Sequence, residues 1–133
     1  MINIGDTFEH TFSFTQEDVI SFAKVTGDNN PVHLDEVYAA STIFKRPIIH
    51  GMLGATVFSK VFGTMFPGEG TIYLNQNLQF LRPMLVNTNY TAHFEVLEID
   101  REKHRATINT SVLNEDGKKV VDGSAILMHT EKF

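Results

Sequence analysis

A chain of 133 residues, 42% apolar and 20% charged, has the size and make-up of one globular domain with a buried core. Those fractions argue against intrinsic disorder, collagen-like sequence and coiled coil. Eleven basic residues against sixteen acidic ones give a net charge of −5 with no basic cluster, a poor match for nucleic acid or anionic lipid. Cysteine is absent, so disulfides, thiolate nucleophiles and cysteine-held zinc are excluded. The stretch from Ile48 to Phe62 is the longest apolar run, but His50, Gly51, Gly54, Ser59 and Lys60 interrupt it, so it does not read as a membrane span. Met1–Asp6 lacks the pattern of a signal peptide, and the expectation is a cytoplasmic protein with residues 1–133 as a single domain.

Phe8, Phe12 and Phe14 predict a short first strand, with His10 breaking its apolar pattern. Thr15 reads as a helix N-cap, with Asp18 three residues on completing a capping box. Val19, Phe22, Ala23 and Thr26 form a helical stripe that Gly27 ends. Asp28-Asn29-Asn30-Pro31 predicts a turn or loop, because Pro31 disfavours helix at Asn30. Asp35 can cap a short helix from Glu36 to about Ser41, and Phe44 to Ile49 reads as an irregular connection. From about Gly51 to Met65 the spacing predicts a longer helix, apolar on nearly every face and therefore buried all round.

After Pro67-Gly68-Glu69-Gly70 the period changes to two. Ile72, Leu74, Leu78 and Phe80 alternate with polar residues as in a half-buried strand, ended by Arg82-Pro83. Tyr90, Ala92, Phe94 and Val96 mark the next strand, and Ala106, Ile108, Thr110 and Val112 the one after. Asn114-Glu115-Asp116-Gly117 is a hairpin signal, and Val121, Gly123, Ala125 and Leu127 carry the return. Strands joined by short polar turns pair antiparallel. The expectation is an α+β domain, its antiparallel sheet curled about the long helix.

The segment Phe22 to Asp35 concentrates a carboxylate, an amide and an imidazole around a proline. Asp28 and His33 are five residues apart, a spacing that points to opposite faces of a strand but allows convergence across a turn at Pro31. Such a pair can hold a water between an acid and a base, and imidazole titrates near neutrality. The plain alternative stays open: Asp28 ends a helix, and His33 is a hydrogen-bonded residue at the edge of the core.

Phe22, Thr26, Gly27, Asp28, Asn30-Pro31, Val32, His33 and Ala39 together resemble the signature of the MaoC-like (R)-specific enoyl-CoA hydratases, the "hydratase 2" group of the hot-dog fold superfamily. The block Arg46-Pro47-Ile48-Ile49-His50-Gly51-Met52-Leu53 is similar too, as are Gly70-Thr71-Ile72-Tyr73-Leu74, Phe80 and Pro83. The resemblance implies a hot-dog fold, a long central helix wrapped by a curved antiparallel sheet, working as a homodimer. It implies addition of water to a trans-2-enoyl-CoA to give the (R)-3-hydroxyacyl-CoA, with no metal or redox cofactor and with CoA as part of the substrate. By motif position it makes Asp28 and His33 the catalytic pair. Gly51 becomes the backbone oxyanion donor, and Asn30 a supporting residue. Gly51 stands where the long helix is expected to begin, where N–H groups and the helix dipole favour developing negative charge.

Other readings have discriminating features. A 3-hydroxyacyl-acyl-carrier-protein dehydratase would use the same pair, a hot-dog thioesterase would not need it, and a non-catalytic acyl-thioester-binding module would bind without turnover. A metal site would draw on His33-x-Asp35 with His50 nearby, but no HExxH-type spacing is present, and Asp35 reads as a cap. His50 reads as a structural neighbour of Gly51, and His10, His93, His104 and His129 as surface or strand-end residues. Lys45, Arg46, Lys60 and Arg82 read as solvated charges, and Phe58, Phe62 and Met65 as core. Acyl-chain length and pathway, whether polyester precursor supply, fatty-acid oxidation or fermentation, leave no mark in the sequence.

Overall fold

The structure is a computed structural model and describes residues 1–133. Strand β1 (Thr7–Phe12) is followed by helix α1 (Gln16–Thr26), two short helices α2 (Pro31–Leu34) and α3 (Glu36–Ala40), and the long helix α4 (Gly51–Thr64). Four strands complete the chain: β2 (Ile72–Phe80), β3 (Tyr90–Asp100), β4 (Arg105–Leu113) and β5 (Lys119–Met128). They form one five-stranded antiparallel sheet in the order β1-β3-β4-β5-β2.

Local signals set most boundaries. The capping box at α1 is complete: Thr15 Oγ1 accepts from the Asp18 N–H at 3.1 Å, and an Asp18 carboxylate oxygen accepts from the Thr15 N–H at 2.9 Å. Such caps are worth about 1 kcal/mol. Gly27 closes the helix in the left-handed region at φ 77°. Asp35 caps α3 by accepting from the Tyr38 N–H. The β4–β5 hairpin is held by Asn114, whose side-chain oxygen accepts from the N–H groups of Asp116 and Lys118.

Helix α4 supplies the centre of the core. Phe58 and Phe62 meet Phe94 of β3 edge-on, with ring centroids 5.7 and 5.2 Å apart. Ala92, Phe94, Val96, Ile108, Ala125 and Leu127 bring β3, β4 and β5 into the same buried cluster. Register shifts in β2, β3 and at the end of β4 interrupt the ladders, and such irregularities bend a sheet. The expected α+β arrangement, an antiparallel sheet around one long helix, is observed.

Several expectations are corrected. The helix α4 is not buried all round: Met52, Thr56, Ser59, Lys60 and Gly63 are exposed along one face. Met65, placed in the core by its spacing, ends the helix and is exposed. The strand β2 has no half-buried face within the chain. Ile72 is 52% exposed, Leu74 43% and Phe80 52%, because β2 is an edge strand whose register slips between Tyr73 and Asn75. Gln76 and Leu78 turn inward, the Tyr73 ring packs on Phe62, and Gln76 donates to Thr110 Oγ1 in the core. Pro31 begins a helical turn where a loop was expected, since proline at the first helical position lacks only an N–H that has no partner there. His129 stands at the end of β5, as expected, but is buried: it bonds the Glu69 carbonyl through Nε2, and its Nδ1 accepts from the N–H groups of Glu131 and Lys132.

Gly123 in β5 lies beneath β2, where an added Cβ would stand 2.0 Å from the Asn77 carbonyl oxygen. Backbone cannot swing aside as a side chain can, so Gly123→Ala is expected to loosen the β2–β5 pairing. Urea denaturation should record a loss of about 1–3 kcal/mol, the usual cost of overpacking.

Candidate active site

Three chain segments meet around one cavity of about 420 Å³. The turn after α1 brings Asp28, α2 brings His33, and the start of α4 brings His50 and Gly51. Phe80, Arg82 and Met84 close the other side. The Asp28–His33 convergence expected from the sequence is present, and its local cause is visible. Asn30 caps α2, its side-chain oxygen accepting from the Val32 N–H at 3.2 Å, and its carbonyl accepts from the His33 N–H at 3.0 Å. One turn of helix starting at Pro31 then carries His33 round to the Asp28 side. Asn30 itself does not line the cavity; it is an exposed cap.

His33 Nδ1 lies 2.8 Å from the Ile48 carbonyl oxygen. A carbonyl only accepts, so Nδ1 carries the proton and Nε2 presents its lone pair. Burial holds the His33 pKa below its ordinary 6.5; the Ile48 bond and Asp28 oppose that shift, while His50 adds to it. A neutral imidazole with a free Nε2 is suited to accept a proton near neutral pH.

Gly51 is the first residue of α4, and its N–H has no acceptor in the protein. The helix N-terminus leaves such groups free and concentrates partial positive charge on them. A Cβ at position 51 would approach the Phe80 ring to 2.7 Å, a crowding that the glycine avoids beside this amide.

His50, expected as a structural neighbour of the Gly51 turn, does more than that. It is buried, donates from Nε2 to the Asp28 main-chain oxygen at 3.0 Å, and stacks on His33 with ring centroids 3.9 Å apart at 29°. One ligand-type atom from each of Asp28, His33 and His50 falls within 4.8 Å of the others, whereas the Asp35 carboxylate is engaged in capping α3. Near-parallel rings direct their in-plane lone pairs side by side rather than at one ion, which makes this a poor metal cage.

A second cavity of about 400 Å³ lies along the exposed face of α4, between Met52, Thr56 and Ser59 and the residues Tyr73, Asn75 and Leu78 of β2. Met52 borders both cavities. The Tyr73 hydroxyl, pushed up to about 12 by burial, donates to Gln76. Phe58 and Phe62 remain fully buried in the core and line neither space. Sequence reasoning did not find Phe80 or Met84 as cavity walls, because both come from beyond the long helix and carry no local signal.

An antiparallel sheet wrapped on one long helix is the hot-dog fold, and here a carboxylate, an imidazole and a free amide surround one cavity. Residues 3–119 match the MaoC-like domain, and the chain belongs to that family. It is 39% identical over 126 residues to the (R)-specific enoyl-CoA hydratase of Aeromonas caviae, covering 95% of this chain and 94% of that protein. It is 40% identical over 127 residues to the (R)-specific enoyl-CoA hydratase of Rhodospirillum rubrum, covering 96% and 88%. The solved structure of an unliganded R-hydratase from Pseudomonas aeruginosa superposes with a TM-score of 0.92 at 45% identity, over 98% of this chain and 84% of that one.

Proposed function

We propose that this protein is an (R)-specific enoyl-CoA hydratase: it adds water reversibly to a trans-2-enoyl-CoA and yields the (R)-3-hydroxyacyl-CoA. The observation that carries the reading is the convergence of Asp28, His33 and the unpartnered Gly51 N–H on one cavity. Near 40% identity over almost the whole of two (R)-specific hydratases supports it.

The chemistry follows from the geometry. A thioester oxygen on the Gly51 N–H polarises the conjugated system and leaves the β-carbon electron-poor. A water held between the Asp28 carboxylate and His33 Nε2 gives up a proton to this pair as its oxygen bonds to that carbon. The π electrons move to the thioester oxygen as an enolate, which the amide and the helix dipole stabilise. The pair then returns a proton to the α-carbon from the same side, a syn addition, and the carbonyl reforms. Asn30 supports the site by fixing the turn of helix that carries His33. No step calls for a metal or redox cofactor. The deciding experiment is loss of the conjugated ultraviolet absorbance of crotonyl-CoA, with chiral analysis of the product. Formation of (R)-3-hydroxybutyryl-CoA supports the reading, and silence on short and long enoyl-CoA alike removes it.

The pH profile supplies an independent check. His33 acts as a base only when neutral, and burial depresses its pKa. The acid limb of kcat/KM should therefore reach half-height below pH 6.5, and a midpoint above that value would contradict the role of His33.

The working unit is a homodimer joined through β2. This strand is an unpaired edge bearing Ile72, Leu74 and Phe80 in contact with water, a combination that free monomers avoid. Light scattering should give twice the 15.0 kDa of one chain. No helix is long and apolar enough to cross a membrane, and a cytoplasmic location fits the hydratase reading.

A further inference from the structure

The candidate groups come from the turn after α1, from α2 and from the start of α4, and His50 touches the first two through its side chain. It immediately precedes Gly51 in the chain. Its Nε2 donates to the main-chain oxygen of Asp28 at 3.0 Å, and its ring lies 3.9 Å from that of His33. On the α1 side Phe22 packs against it, with centroids 4.9 Å apart.

Helix capping does not account for an imidazole here, since His50 makes no side-chain bond to the first turn of α4. Nor does core packing: Nδ1 is buried without any hydrogen-bond partner, in a residue only 2% exposed. A buried polar atom left unpaired costs free energy that a phenyl ring of similar shape would avoid. What a phenyl ring could not supply is the bond to Asp28.

We infer that His50 is a positioning residue for the hydration step, its Nε2–H fixing the Asp28 main chain while its ring fixes the plane of His33, so that both groups face the Gly51 amide. The inference rests on the hydratase reading. It concerns a residue of the cavity wall that exchanges no proton with substrate.

Two variants separate the bond from the ring. His50→Phe keeps an aromatic surface for His33 and removes the donor. His50→Gln restores an N–H near the Nε2 position without the ring. With crotonyl-CoA, His50→Phe is expected to lower kcat about tenfold or more while KM stays within about twofold and the melting temperature does not fall. His50→Gln is expected to recover at least about threefold of that loss. A folded His50→Phe with kcat within about twofold of the unaltered protein overturns the inference. So does a His50→Gln as slow as His50→Phe, because the donor would then be irrelevant. If His50→Phe does not fold, His50→Leu replaces it as the donor-free partner in the same comparison. Failure of the unaltered protein on every enoyl thioester is seen first, and it removes the hydratase reading together with this inference.

Discussion

Asp28→Asn and His33→Ala are each expected to lower kcat for crotonyl-CoA hydration at least about a hundredfold, with the fold intact. General acid–base groups contribute roughly 10²–10⁴ in rate, and these two, a carboxylate and an imidazole, line the cavity beside the Gly51 amide. Asp28→Asn is close to isosteric. The Asp28 main-chain oxygen that accepts from His50 is untouched, so the loss reports on the carboxylate. His33→Ala removes more, including the bond to Ile48 and the stack on His50. His33→Asn is the cleaner companion, because its amide N–H can replace Nδ1–H on the Ile48 carbonyl while nothing replaces Nε2. Rates near normal in folded variants would sink the site assignment.

Gly51→Pro is expected to lower kcat about 10²–10³-fold, the usual loss when one oxyanion donor is removed. Proline fits this position in two respects. The first residue of a helix has no intrahelical acceptor for its N–H, and His50 at φ −53° and ψ 130° already holds the extended conformation required before proline. The substitution therefore deletes the amide proton and leaves the helix. It also adds carbon atoms toward Phe80, which Gly51→Ala controls for, since alanine adds the Cβ and keeps the N–H. The Phe80 ring is half exposed and free to give way. A large fall for proline with a small one for alanine identifies the amide as the oxyanion donor. Equal falls would assign the effect to crowding at Phe80 and withdraw that role from Gly51.

The elements legible from sequence are those whose cause is local. The Thr15–Asp18 box, the Gly27 stop, the Asp35 cap and the Asn114 hairpin each need only a few neighbouring residues, and each is observed. The strands β3 to β5 were legible for a related reason: over much of each strand, alternation reflects one face turned to the core. The same reasoning failed for β2 and for the outer face of α4. β2 carries apolar residues on a surface that the folded chain leaves open, whereas the outer face of α4 carries Thr56, Ser59 and Lys60 among its apolar neighbours, and periodicity records that a residue is apolar, not what covers it.

By itself the sequence determined an α+β chain, the position of its long helix, and a motif in which Asp28 and His33 share one short turn. Spacing and a proline at the head of α2 are enough for that, because both residues sit within one segment. Only the tertiary structure decided that Gly51 opens toward the same cavity, that Phe80 and Met84 wall it, and that His50 ties Asp28 to His33. The residues involved lie from 17 positions apart, for His33 and His50, to 56, for Asp28 and Met84, and chain-distant neighbours are selected by packing of the whole core rather than by any local preference.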